Sequence, residues 1–194
     1  PDRMKRALKQ AMTTLAFAQF PMMIGLAVVA RPLVLVLLGE KWEPCIPYLQ
    51  LLCLAGISYP MHLLNLNVLM AHGRTDLFFR LILIRRLLVV ANIALTYRWS
   101  VMAMVCGQVI ISVISYFVNS YYTRRFIGYG IPEQLRDVFP YLAAATAMGA
   151  GVMLVNLPLP PGHIVQLVVK LIVGSAIYGA ISLAFRLPAL AEIT

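Results

Sequence analysis

The chain has 194 residues, 61% of them apolar and only 12% charged, with a mean hydropathy of +0.86. A soluble domain carries about 25% charged residues, so a water-soluble enzyme or binding domain is excluded. The net charge of +9 lies beside long apolar stretches, which points to anionic lipid head groups and away from nucleic acid.

Arg3, Lys5, Arg6 and Lys9 precede the first apolar stretch, over which a helix is expected at 11–38. Proline removes a backbone hydrogen bond and kinks a helix, so Arg31-Pro32 predicts that 32–38 bends off as a short segment. Gly39 to Pro44 reads as a turn with Trp42 at interface depth, and a second helix is expected at 45–71. Arg74, Arg80, Arg85 and Arg86 follow it, the last three inside a third helix at 77–97. Arg98, between Tyr97 and Trp99, has the aromatic–basic character of a membrane interface. A fourth helix is expected at 100–122.

Arg124, Arg125 and Arg136 mark 123–137 as an interfacial connection, with Phe126, Ile127, Tyr129, Ile131 and Leu135 expected in the head-group layer. Two further helices, at 138–157 and 163–185, turn through Pro158, Pro160, Pro161 and Gly162, which cannot continue a helix. Three uncharged runs, Pro44–Gly73, Trp99–Thr123 and Val138–Val169, each exceed the roughly 20 apolar residues needed to span a bilayer.

Twelve of the sixteen basic residues fall in alternate gaps, against Arg31, Lys41 and Arg98 in the others and Lys170 within the sixth helix. That alternation is the positive-inside signature of a multi-pass membrane protein. The expected fold is an all-α polytopic bundle of about six spans with both termini cytoplasmic. Arg3, Lys5, Arg6, Lys9, Arg74, Arg124, Arg125, Arg136 and Arg186 read as plain topology markers outside the spans. The chain starts at Pro1 without Met, so it is expected to be a fragment whose upstream part is missing.

Polar residues recur at helical spacing on three consecutive helices: Ser58, His62 and Asn65; Arg85, Asn92 and Thr96; Gln108, Ser112, Ser115 and Asn119. Such stripes turn toward other helices or toward a water-filled cavity, and a shared polar cavity is the slightly better reading of three together. After Arg86 only Leu87–Tyr97 precede the next charge, a rise of about 16 Å. Arg85 and Arg86 must therefore lie below the cytoplasmic surface or in a cavity. At 100° per residue Arg85 shares its face with Asn92 and Thr96, whereas Arg80 and Arg86 point elsewhere, toward phosphate head groups; the alternative is that all three snorkel there. Lys170 could snorkel, pair with a group elsewhere or contact a lipid phosphate, and Gly174 and Gly179 near it suggest close helix contact.

All seven acids, Asp2, Glu40, Glu43, Asp76, Glu133, Asp137 and Glu192, lie in gaps or at the ends. A proton relay or cation site usually needs an intramembrane carboxylate, which counts against a cation-coupled multidrug exporter. A cavity with basic groups and no acids favours an anionic ligand, and a guanidinium fork suits phosphate. A glycosyltransferase or polymerase would need acidic groups near the interface, where only Glu133 and Asp137 stand, beside basic residues. A non-transporting membrane scaffold is the remaining alternative. The three cysteines and three histidines show no ligand spacing, so no metal, other cofactor or catalytic residue is expected.

Phe20-Pro21, Gly25-Leu26, Arg31-Pro32-Leu33-Val34, Leu38-Gly39-Glu40-Lys41-Trp42 and the stretch from Asn65 through Ala71-His72-Gly73-Arg74-Thr75-Asp76 resemble the polysaccharide-exporter family of the oligosaccharide and multidrug flippase superfamily. The resemblance covers roughly residues 1–125. It implies the end of a two-lobed transporter of about twelve to fourteen spans around a central cavity. Residues 1–122 would be the last four helices of the second lobe and 138–194 an accessory transmembrane hairpin and tail. In a relative, such a hairpin lines a groove for the lipid tail.

The implied activity is translocation of a polyprenyl-diphosphate-linked oligosaccharide across the bacterial inner (cytoplasmic) membrane, for lipopolysaccharide, capsule or exopolysaccharide assembly. A polysaccharide polymerase and export machinery are the implied protein partners. On this reading Arg85, with Arg86 as second candidate, meets the diphosphate. Ser58, His62, Asn65, Asn92, Gln108 and Asn119 are the polar cavity residues, and Arg80 and Lys170 contact lipid phosphate or tail.

Overall fold

The computed structural model describes residues 2–154 and 162–184, and these fold into six α-helices and a short 3-10 turn. The helices are α1 (Asp2–Leu37), α2 (Ile46–Ala71), α3 (Thr75–Thr96), α4 (Val101–Ile127), α5 (Ile131–Leu154) and α6 (His163–Ala184), with the 3-10 turn at Glu40–Cys45. The expected proline turn at 158–161 and Arg186 lie outside the described residues.

Five of the helices are long and apolar enough to cross a membrane. The exception is α3, whose 22 residues match α6 in length but carry Asp76, Arg80, Arg85 and Arg86. Large apolar side chains such as Leu54, Val90, Ile110, Phe117, Leu154 and Ile172 are exposed. Water would penalise so much outward apolar surface, and hydrocarbon does not. The chain is thus a multi-pass helical membrane protein.

Two boundaries depart from the sequence reading. At its start, α1 begins at Asp2, so Arg3, Lys5, Arg6 and Lys9 ride on the helix itself. Its 36 residues run about 54 Å, well beyond a hydrocarbon core of about 30 Å. It also stays helical through Pro21 and Pro32 to Leu37, so the expected break at Pro32 does not occur. Within a membrane, neighbouring groups can re-satisfy the backbone that proline frees.

The second departure is the connection expected over 123–137. It is helical except at residues 128–130, because α4 runs on to Ile127 and α5 starts at Ile131. Gly128 makes the tight reversal possible: it sits at φ 65° with its N–H on the Arg124 carbonyl, a left-handed cap that other residues adopt at a cost. Ile127 and Tyr129, expected among head groups, are buried instead. Gly73 closes α2 similarly at φ 69°, with Gly73 N–H on Met70 O at 2.9 Å and Arg74 N–H on Leu69 O at 2.9 Å. The hydroxyl of Ser100 caps α4 by accepting from Ala103 N–H at 3.1 Å.

The chain forms two compact units. The first comprises Pro1–Leu15 with Leu54–Val138, the second Ala16–Cys53 with Phe139–Thr194. In the first unit an apolar core joins Leu8 and Met12 of α1, Val68 of α2, Ile127 of α4 and Tyr129. In the second, the Phe17 ring meets Tyr141 at 6.3 Å and Tyr178 at 5.4 Å, and the Tyr178 hydroxyl donates to Phe17 O at 2.8 Å. Glycine permits close packing there: a Cβ at Gly149 would lie 2.7 Å from Ile24 Cγ2. Gly174 also packs against a neighbour, Val152, but Gly179 faces open space. The expected helix contact at Gly179 is therefore not made among the described residues.

Candidate functional site

In the first unit, α2, α3 and α4 bring together the sharpest of the expected residues. His62 of α2 is 2% exposed, and its Nε2 accepts a hydrogen bond from Nη1 of the half-buried Arg85 on α3. Tyr59, one turn before His62, places its ring 5.0 Å from the imidazole and 5.6 Å from the Arg85 guanidinium carbon. The second contact is a cation–π arrangement. Among the described residues Arg85 has no ion pair with a carboxylate. Arg80 and Arg86 are exposed on other faces of α3, and neither lines the recess that Arg85 and His62 share. Arg86, the second candidate, lies off this recess because adjacent helical positions point about 100° apart.

That recess holds about 50 Å³ between His62, Leu66, Arg85, Leu88, Ser115 and Asn119. It has space for a few waters but lies far below the roughly 300 Å³ of a small-molecule site. Three polar stripes have packed against one another instead of lining a chamber. Asn65 is 0% exposed, and its amide forms a reciprocal pair with Gln134 of α5, both bonds 3.0 Å. Asn119 donates to the His62 carbonyl at 3.2 Å, and Thr123 to the Asn65 carbonyl at 3.3 Å. Asn92 donates to Met104 O at 2.9 Å and sits where a side chain at Gly107 would fall. Asn65, Asn92 and Asn119, expected as polar cavity residues, thus use their amides in helix–helix bonds. Ser58 bonds its own helix at Ala55 O, and Gln108 is half-buried on α4.

Gln134 had no signal in the sequence beyond being polar. The Gln134 amide also donates to Tyr129 O at 3.0 Å, and the Tyr129 hydroxyl donates to Asp137 at 2.8 Å. Lys5 pairs with Glu133 at 2.9 Å and donates to Gly128 O at 3.0 Å, while Lys9 pairs with Asp137 at 2.8 Å. Lys5 and Lys9 are therefore more than orientation markers, and Glu133 and Asp137 are paired. Burial, reinforced by the Asp137 carboxylate, pushes the Tyr129 phenol above its ordinary range.

The second unit holds a groove of about 570 Å³ between α1, α5 and α6. Its walls are mostly apolar, with Pro21, Leu26, Val152 and Leu171 among them, and Lys170 is the one charged residue among the described lining. Gly25, Gly174 and Gly179 withhold side chains from it. Lys170 thus lies half-buried at an apolar groove, and α1 contributes a wall that sequence reasoning assigned to the last two helices alone.

Residues 1–47 match a family model described as polysaccharide biosynthesis protein. The lipopolysaccharide biosynthesis protein WzxC of Escherichia coli (strain K12) is 26% identical over 159 residues, 76% of this chain and 32% of that protein. The teichuronic acid biosynthesis protein TuaB of Bacillus subtilis (strain 168) is 27% identical over 139 residues, 70% of this chain and 28% of that protein. An uncharacterized membrane protein in the cps region of Klebsiella pneumoniae is 21% identical over 187 residues, 91% of this chain and 37% of that protein. No solved structure matches. The chain spans about a third of the length of these relatives. These matches place the chain's similarity among polysaccharide biosynthesis proteins, over part of their length.

Proposed function

We propose that this chain is part of a transporter that moves a polyprenyl-diphosphate-linked oligosaccharide across the bacterial inner membrane for surface-polysaccharide assembly. The observation that carries the reading is Arg85, a half-buried cation on α3 with no carboxylate paired to it among the described residues. A charge in that setting is costly unless a ligand or cavity uses it. A guanidinium fork is shaped for two phosphate oxygens. The relatives' names, which refer to lipopolysaccharide and teichuronic acid biosynthesis, support a saccharide cargo.

In this reading Arg85 holds the diphosphate, and Ser58 and Gln108 remain as polar groups for the sugar. The apolar groove of the second unit takes the prenyl chain, with Lys170 near its phosphate end. Residues 1–122 close the second lobe of the transporter, and 138–194 supply an accessory hairpin. Both termini face the cytoplasm, and the protein moves its cargo without chemical change. Polymerase and export machinery then act on the translocated unit.

The test is surface-polysaccharide export by the full-length protein carrying Arg85→Ala or Arg86→Ala. Loss with Arg85→Ala and near-normal export with Arg86→Ala is expected. Intact export with Arg85→Ala and loss with Arg86→Ala would refute the assignment.

A further inference from the structure

We infer that His62 takes up a proton when Arg85 leaves it for an anionic ligand, so that anion capture is coupled to uptake of about one proton. The inference rests on the reading of Arg85 as an anion ligand and goes beyond it.

A guanidinium carries only donors. Nε2 of His62, in contact with Nη1 of Arg85, can therefore only accept, which makes the ring neutral with its proton on Nδ1. That Nδ1 is buried and has no hydrogen-bond partner among the described residues. The imidazole thus satisfies one nitrogen through Arg85 and leaves the other unpaid, an arrangement that a purely structural histidine avoids. The titratable or charged groups around it are Arg85 from α3 and Tyr59 on its own helix, while α4 offers the uncharged Ser115 and Asn119. No Asp or Glu occurs in α2 or α4, and the one in α3, Asp76, is paired with Arg74.

With Arg85 in place, a proton on Nε2 would set two positive charges in contact away from bulk water, which low dielectric makes prohibitive. Once a phosphate-type anion draws the guanidinium off into a two-oxygen pair, the Nε2 lone pair is free. A proton from water then adds to it. The resulting imidazolium places a second cation beside the anion, so each event favours the other. When the anion leaves, Arg85 returns and the proton is released. The cycle exchanges one proton with solvent and breaks no other bond. It needs no intramembrane carboxylate, the group whose absence from the spans had counted against ion coupling.

The experiment uses the full-length protein in phosphatidylcholine nanodiscs and a glucosyl farnesyl diphosphate, a diester with no proton to exchange near neutral pH. Calorimetry in two buffers of different ionisation enthalpy reads the proton uptake. Wild type is expected to take up as much as one proton and to bind up to about tenfold tighter per unit fall between about pH 8 and 6. His62→Gln should still bind and should lose both effects, whereas Arg85→Ala should lose binding. Phosphatidylglycerol serves as a further probe. Proton-coupled binding of phosphatidylglycerol alone would support the coupling while assigning the anion to a lipid head group, against the proposed cargo.

Wild-type binding that is independent of pH and takes up no proton would overturn the coupling and leave Arg85 as a diphosphate ligand. The same holds if His62→Gln keeps the proton uptake. Binding unchanged by Arg85→Ala would overturn both readings. Should His62→Gln fail to fold, the wild-type comparison between buffers still decides.

Discussion

Replacing Gln134 with Leu should destabilise the protein by about 3 kcal/mol, although Gln134 does not line the Arg85 recess. The Gln134 amide satisfies three buried groups: Oδ1 and Nδ2 of Asn65 and the Tyr129 carbonyl, each at 3.0 Å. Both amide-bearing residues are at most 1% exposed, so water cannot take over these bonds. Each orphaned group costs roughly 1 kcal/mol at the low end of the usual range, which yields the total. In a domain of this size that corresponds to a melting temperature lower by about 6–12 °C.

The informative variant is the double one. Changing Asn65 to Leu as well removes two of the three orphans and leaves only the Tyr129 carbonyl. The pair Asn65→Leu/Gln134→Leu should therefore recover most of the loss, to about 1 kcal/mol below wild type. Thermal unfolding in detergent measures all three variants. A double variant as unstable as Gln134→Leu, or more so, would refute the argument that the two amides exist to satisfy each other. Asn65 would then be holding something else, and its reading as a substrate contact would return.

Charge reversal at Lys5 tests the ionic contacts of the same unit. Lys5→Glu should cost about 1 kcal/mol, since both partners of the Glu133 pair are partly solvent-exposed, and adding Glu133→Lys should restore part of it. No recovery in thermal unfolding would mean that Lys5 acts through Gly128 O and not through Glu133. Gly179→Leu adds a side chain where nothing lies within 4 Å, so it should fill the apolar groove without strain. The expected result is a melting temperature within about 2 °C of wild type and a loss of export of tenfold or more. Normal export would show that the groove is not used.

Tyr129 carries a pH dependence of defined sign. Its phenol is held protonated in the folded state above its ordinary value of about 10. Its contribution is thus fully present below about pH 10 and is lost as pH rises beyond that point. Alkaline unfolding curves should lose that component in Tyr129→Phe. An unchanged curve would remove Tyr129 as its source.

Helix identity and the membrane setting were legible in the sequence because hydrophobic periodicity and the placement of arginines are local properties. The inward face of Arg85 was legible too, since it follows from 100° per residue along one helix. The ends of α1 and α4 were not. Basic residues look like gap residues in a hydropathy reading, yet Lys5 and Lys9 can continue a helix because Glu133 and Asp137 meet them. No pattern along the chain pairs positions more than a hundred residues apart.

The division of labour among polar residues shows the same limit. Spacing put Asn65, Asn92 and Asn119 on inward faces, and a cavity lined by amides and a bundle locked by amides share that pattern. Only the partner distinguishes them: Gln134 for Asn65, the His62 carbonyl for Asn119, Met104 O for Asn92. The sequence alone determined that this is a multi-pass helical membrane protein with one arginine aimed inward. Tertiary structure decided that this arginine meets a buried histidine, that the neighbouring amides hold helices together, and that an apolar groove opens beside Lys170. The reason is physical: helix formation and membrane preference are summed along the chain, whereas hydrogen-bond satisfaction and cavity volume depend on which distant side chains arrive at the same place.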